Sequence, residues 1–343
     1  MNSLSYLDLH RELSQDIDAE IAAALERLDP ASATARTAVA ELLEQRKLKY
    51  PISVLPLLVH GAETGFPEPA VPISAVHLLW WTSACHLDDL ADGNGSAASD
   101  GLTENETLLA SVIAGNILPV QIILSQRVPE SVHGELLTEI VNGSIAAADG
   151  QMVDMRGDAA GATRGSVIET YRGKSGAPYG MITAMAAILS GTKCERVELW
   201  REFGYVFGII WQLFNDQEDI LSGRNEDLAN GTVTYLLACA VEDAAPESRG
   251  RILDLCAAAG RSRQARGELA GLLRAPALLD RYRADINGYR DEAHRLLDEL
   301  GGDEVHLPVL RQLVDNSARM LLQPDLAPNN AQDGAPGATT GAS

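Results

Sequence analysis

The sequence predicts an all-α protein built as one helical domain. Three observations carry that expectation. Apolar residues recur at helical spacing in nearly every segment between breakers, as Leu13, Ile17, Ile21, Ala24, Leu25 and Leu28 do. Ala, Leu, Glu and Arg fill those segments, and Asn-Gly or Asp-Gly turns between β-branched runs, the usual hairpin signal, are missing. No internal repeat and no linker breaks residues 30–320.

The first stripe gives a helix over 8–28, and the same periodicity gives helices over 34–48 and 52–64. The apolar run AVHLLWWTSAC (75–85) builds a helix over 71–92 that Asp92-Gly93 stops. Residues 93–103 (GNGSAASDGLT) are small and polar and predict a flexible loop. The segment 107–125 approaches a membrane span in length, but Asn116, Pro119 and Gln121 interrupt it, so a buried core helix over 104–125 is expected. Helices over 130–154, 164–190 and 194–222 follow, and Asn230-Gly231 reads as another stop. The remaining helices are expected over 232–242, 247–258, 262–271, 276–300 and 306–322. The tail, residues 323–343, has no apolar periodicity to offset the entropy of ordering and is expected to be disordered, leaving 1–322 as the domain.

Of the 343 residues, 46% are hydrophobic and 22% charged, and Lys+Arg 27 against Asp+Glu 48 leaves a formal net charge of −21. Such a surface repels nucleic acid and anionic lipid, so an anionic substrate has to be met by metal ions or a local basic cluster. Cys85, Cys194, Cys239 and Cys256 lack C-x-x-C spacing, which predicts neither a zinc site nor a disulfide framework but buried, reduced thiols. The N-terminus has no basic region followed by an apolar stretch; no signal peptide and a cytoplasmic location are expected.

Two clusters carry chemistry. In HLDDLAD, Asp88, Asp89 and Asp92 stand at i, i+1 and i+4, so a helix sets Asp88 and Asp92 one turn apart on one face. Like charges there repel, and the run before them is apolar; carboxylates held so call for a divalent cation, with magnesium and phosphate co-ligands the usual setting. In GIIWQLFNDQED, Asn215, Asp216 and Asp219 repeat the spacing after Ile209, Ile210, Trp211, Leu213 and Phe214. An amide oxygen ligates magnesium without adding charge, so Asn215 is admissible in that set.

With these motifs the chain resembles the trans-isoprenyl diphosphate synthases (polyprenyl synthetases) of the class I isoprenoid fold. The family's DDxxD is matched by Asp88-Asp89-Leu90-Ala91-Asp92, and its second aspartate motif by Gly208 to Asp219, read as NDxxD. Its G-Q-x-x-D appears as Gly150-Gln151-Met152-Val153-Asp154, its Lys-Thr element as Lys174-Ser175 after Tyr171, and its G-D-x-L as Gly115-Asn116-Ile117-Leu118. The resemblance implies a helical bundle around a deep apolar pocket, with the two acid-rich helices opposed at its mouth. It further implies three magnesium ions held by Asp88, Asp89, Asp92, Asn215 and Asp219, a leaving group assisted by Lys174, Gln212 and Asp216, orienting contacts from Gln151 and Asp154, and a homodimer.

Three departures narrow the activity. The family's Arg-Arg pair beyond the first motif has no counterpart, since residues 93–103 contain no basic residue. Its Gly-Lys-x-Thr reads Gly231-Thr232-Val233-Thr234, and its Gly-Lys-Arg-x-Arg-Pro is loosely echoed by Arg46, Lys47 and Lys49 ahead of Pro51. Each lost cation removes a charge-assisted phosphate contact of ~1.5–3 kcal/mol. The deficit falls on a charged second substrate, so the expected acceptor is neutral or singly charged, for instance an indole. A class I terpene cyclase, an ordinary farnesyl or geranylgeranyl diphosphate synthase and a regulatory subunit without turnover are the alternatives. Small Ser83 and Ala84 lie one helical turn before the first motif and allow a long prenyl tail. Trp80 and Trp81 about one turn deeper would form the floor, which fits a donor of about C15–C20 at ~5.4 Å per turn.

Overall fold

In the computed structural model, residues 5–45, 53–91 and 101–323 are described. They form α1 (Tyr6–Glu26), α2 (Ala33–Gln45), α3 (Val54–Thr64), α4 (Val71–Ala91), α5 (Glu104–Val112), α6 (Leu118–Ile123), α7 (His133–Met155) and α8 (Arg164–Tyr171). There follow α9 (Ala177–Leu189), α10 (Cys194–Ser222), α11 (Glu226–Asn230), α12 (Tyr235–Asp243), α13 (Pro246–Ala259), α14 (Arg263–Leu273), α15 (Pro276–Leu300) and α16 (His306–Ser317). No strand occurs among the described residues, as the all-α reading requires.

Local chemistry sets the helix ends. Ser5 and Asp8 cap α1 reciprocally, and Thr103 and Glu106 do the same for α5. Two helices expected to be continuous, 104–125 and 164–190, each contain a π-helical turn, at Ile113–Ile117 and Arg172–Gly176. In both, the turn ends two residues before a proline, Pro119 or Pro178. A proline ring crowds the carbonyl four residues back and offers no N–H, and the widened turn relieves both. A further correction concerns 232–242: the helix starts at Tyr235 with Thr234 as its cap, and the short α11 precedes it, stopped by Gly231 at φ 79° as expected.

The apolar core is one cluster running from Leu9 to Leu322. Helix α9 is its axis, buried from Ala177 to Ile188. Helix α10 crosses it closely because Gly204 has no Cβ; one there would lie 2.4 Å from Thr183 Oγ1 and from the Tyr179 carbonyl. Glu63, at 9% side-chain exposure, ties α3 to α10: its carboxylate accepts from Arg196 Nη2 at 2.5 Å, Trp200 Nε1 at 2.6 Å and Thr192 Oγ1 at 2.9 Å. Burial penalises the charge, but these donors prevail and hold the Glu63 carboxyl below its usual range.

The stretch Glu104–Ile123 is long and apolar enough by length and composition to cross a membrane, and half of its most apolar window is buried. It is therefore a core helix on one side only; Leu108, Leu109, Val112 and Ile117 are exposed on the other. The expectation of buried thiols also needs correcting. Cys239 is buried, Cys85 and Cys256 are half-buried, and Cys194 is exposed at the first position of α10; all four are free. The tail from 324 onward, most of the loop 93–103, and Arg46, Lys47, Lys49 and Asp92 lie outside the described residues.

Candidate active site

A cavity of about 500 Å³ opens between α4, α7, the π turn at 172–176 and α10. The size is ordinary for a small-molecule site. Its walls include Trp80, Trp81, Ser83, Ala84 and Cys85 from α4, Ser144 and Ala147 from α7, and Gly115 and Asn116 from the first π turn. Asp88, Gln151, Lys174, Ser175, Gln212, Asn215 and Asp227 supply its polar part.

Packing between backbones builds the polar end. At Gly150 a Cβ would stand 2.3 Å from the Lys174 amide nitrogen, and at Gly208 it would stand 2.4 Å from the Ser175 carbonyl oxygen. Glycines in α7 and α10 thus clamp the π turn from two sides, and the extra residue of that turn directs Lys174 and Ser175 to the cavity. Lys174 Nζ donates to Asp154 Oδ2 at 2.8 Å and lies 3.8 Å from Asp88 Oδ1. Burial opposes its charge, but Asp88 and Asp154 outweigh that and raise the ammonium above its ordinary value, so it stays cationic. Gln151 Nε2 donates to Asp88 Oδ1 at 2.5 Å, which joins the first acidic motif to α7.

The second motif divides by depth. Asn215 faces the cavity. Asp216 is buried beneath it, accepting from Gln212 Nε2 at 2.9 Å and Tyr171 OH at 2.5 Å, while Tyr171 OH accepts from the Tyr235 amide at 2.9 Å. Ser175 Oγ donates to Gln212 Oε1 at 2.6 Å and completes the chain. Burial raises the Asp216 carboxyl to about 7 against the pull of its two donors. Asp219 caps α11, its carboxylate accepting from the amides of Glu226 at 3.0 Å and Asp227 at 3.3 Å. That cap turns Asp227 into the cavity, where burial and then the charges of Asp216 and Asp219 push its carboxyl well above the ordinary range.

Of the residues singled out from the sequence, Trp80, Ser83, Ala84, Asp88, Gln151, Lys174, Gln212 and Asn215 line this one cavity. Asp154 and Asp216 support its lining groups, and Asp89 continues the last turn of α4. Trp80 Nε1 donates to Ser144 Oγ at 3.0 Å and Ser83 Oγ to the Ser111 carbonyl at 2.8 Å, so both are wall and core at once. Asp227 escaped the sequence reading because it stands eight residues beyond Asp219, on no shared helix; the acidic start of α11 before Asn230-Gly231 was its only signal.

Among the described residues no three His, Cys, Asp or Glu side chains form an ion site by themselves. The donor set nevertheless suits magnesium completed by substrate oxygens. It is made of carboxylate and amide oxygens, and Asp227, pushed up first by burial and then by the charges of Asp216 and Asp219, is a carboxyl whose ionised form a cation favours.

The polyprenyl synthetase family model matches residues 105–270. A short chain isoprenyl diphosphate synthase from Methanothermobacter thermautotrophicus is 20% identical over 270 residues, covering 74% of this chain and 80% of that protein. Among solved structures, geranylgeranyl pyrophosphate synthetase from Pyrococcus horikoshii superposes with a TM-score of 0.76 at 19% identity, over 90% of this chain and 96% of its own. Decaprenyl diphosphate synthase from Rhodobacter capsulatus gives 0.76 at 20% identity, over 91% and 98%.

Proposed function

The chain belongs to the polyprenyl synthetase family, and from that premise we propose that it is a magnesium-dependent prenyltransferase acting on an allylic isoprenyl diphosphate and a non-isopentenyl acceptor such as an indole. The observation that carries the reading is a largely apolar cavity with Asp88, Lys174 and Asn215 gathered at its polar end. Asp88, Asp89, Asp92, Asn215 and Asp219 are the proposed holders of the ions, three by the family pattern, which would draw electron density from the diphosphate oxygens.

The chain's own residues do the rest. Lys174 places a fixed positive charge beside the leaving group, held by Asp154, so it does not reorganise as charge develops. Gln151 orients Asp88, and the Ser175–Gln212–Asp216–Tyr171 chain keeps the helix under Asn215 from shifting. Trp80, Trp81 and Ala84 enclose the prenyl tail and exclude water from the carbon that becomes electrophilic. Ser83 and Ala84 leave depth for a donor of about C15–C20. The missing basic residues favour an uncharged acceptor.

Incubation with farnesyl or geranylgeranyl diphosphate plus indole, with and without magnesium, tests this by product mass. Prenylated indole supports it. Hydrocarbon or alcohol from the donor alone indicates a cyclase, longer diphosphates on adding isopentenyl diphosphate indicate chain elongation, and no pyrophosphate release indicates a regulatory subunit. A homodimer is part of the proposal. Helices α5 and α7 and the π turn at 113–117 expose Leu109, Val112, Ile117, Val141, Ile145 and Met152, apolar side chains of the kind that subunits cover. Light scattering of Ile145→Glu against wild type checks it.

A further inference from the structure

A second cavity, of about 470 Å³, lies on the other side of α10. Five aromatic side chains line it: Tyr6, Tyr179, Phe207, Trp211 and Phe214. Its charged lining among the described residues is one Arg319 and one Glu218, of opposite sign. A single layer of rings separates it from the first cavity. Tyr179 stands in that layer, 5.3 Å by ring centroids from Trp81, which lines the first cavity, and 6.4 Å from Trp211, which lines the second.

Tyr179 bridges the two spaces. Its ring borders the second cavity and its hydroxyl lies within electrostatic reach of the Cys85 thiol, on the wall of the first. The side chain is fully buried, yet its hydroxyl has no hydrogen-bond partner among the described residues. Buried hydroxyls are nearly always paired, and one left unpaired between two cavities fits a ligand that pairs it.

We propose that the second cavity receives a flat, uncharged aromatic acceptor of indole size, and that Tyr179 positions it by hydrogen bonding as the ring layer parts toward the prenyl donor. This rests on the prenyl-transfer reading above and adds where the acceptor binds. In the transfer, an acceptor ring carbon bonds to C1 of the donor, the C1–O bond breaks with its electron pair leaving on the diphosphate, and the displaced ring proton passes to the released pyrophosphate. Tyr179 takes no proton; burial raises its hydroxyl well above the ordinary tyrosine value and keeps it neutral.

Two variants test the site. Tyr179→Phe removes only the unpaired hydroxyl, and Leu221→Trp fills the rim of the second cavity from a position that is half exposed and absent from the first. Both are expected to raise the KM for indole at least tenfold, leave the KM for the allylic diphosphate unchanged, and weaken indole binding measured calorimetrically without donor. Tyr179→Phe should also leave the melting temperature unchanged or higher, because the hydroxyl makes no hydrogen bond among the described residues, so the loss of indole binding is not a loss of fold. Indole kinetics and binding unaffected by both variants overturn the inference, as does isopentenyl diphosphate displacing bound indole and being the acceptor used. If no allylic diphosphate releases pyrophosphate with magnesium, the prenyl-transfer reading itself fails, and calorimetric indole binding still decides the cavity.

Discussion

Gly150→Ala tests how the cationic end of the cavity is built. The new Cβ would lie 2.3 Å from the Lys174 nitrogen and 2.6 Å from the Gly173 carbonyl carbon, whereas ordinary contact begins at 3.4 Å. The difference, 3.4 − 2.3, requires α7 and the π turn to separate by about 1 Å. Neither side is a flexible side chain, so the movement carries Lys174 away from Asp154 and Asp88. Overpacking of this kind costs about 1–3 kcal/mol, partly offset by the ~1 kcal/mol an alanine gains over glycine inside a helix. A displacement near 1 Å at a catalytic group lowers turnover about 10²-fold. Pyrophosphate release and thermal unfolding measure the two effects. Gly134→Ala is the control, in the same helix with nothing within 4 Å of its Cβ; it should lose no activity and no stability. If Gly150→Ala behaves like Gly134→Ala, the clamp on the π turn is not what positions Lys174.

Other expectations follow from the same contacts. Lys174→Gln keeps a donor for Asp154 but removes the fixed charge, so turnover should fall about 10²–10³-fold; retained turnover would remove Lys174 from the chemistry. Glu63→Gln should destabilise by about 3 kcal/mol at pH 7, because Arg196 loses its buried partner. Since the folded Glu63 pKa lies below its unfolded value, the stabilisation is present above the unfolded value and is lost as pH falls through the folded one. Urea unfolding of both proteins should therefore converge in acid, and a constant gap from pH 7 to acid would contradict it. Ala84→Phe narrows the cavity beside Ser83 and should shift donor preference toward C10; unchanged competition between C10 and C20 donors would show that the tail does not run past α4.

Periodic apolar stripes and i, i+1, i+4 spacing are local properties of the chain, so the helical class, most helix limits and the two acidic motifs were legible in it, although the helix expected over 306–322 ends at Ser317. The sequence also singled out Gly150 and Gly208, within motifs, without the reason for them. That reason is tertiary: each glycine faces the backbone of a turn far away in the chain, and only the packed structure shows the 2.3 and 2.4 Å approaches. The same holds for the division of the second motif into Asn215 at the surface of the cavity, Asp216 beneath it and Asp219 capping α11, since equal spacing along a helix does not say what stands opposite each side chain. Asp227 had only the acidic start of α11 as a signal and the aromatic cavity beyond Tyr179 had none, because their residues come from helices joined only by the fold.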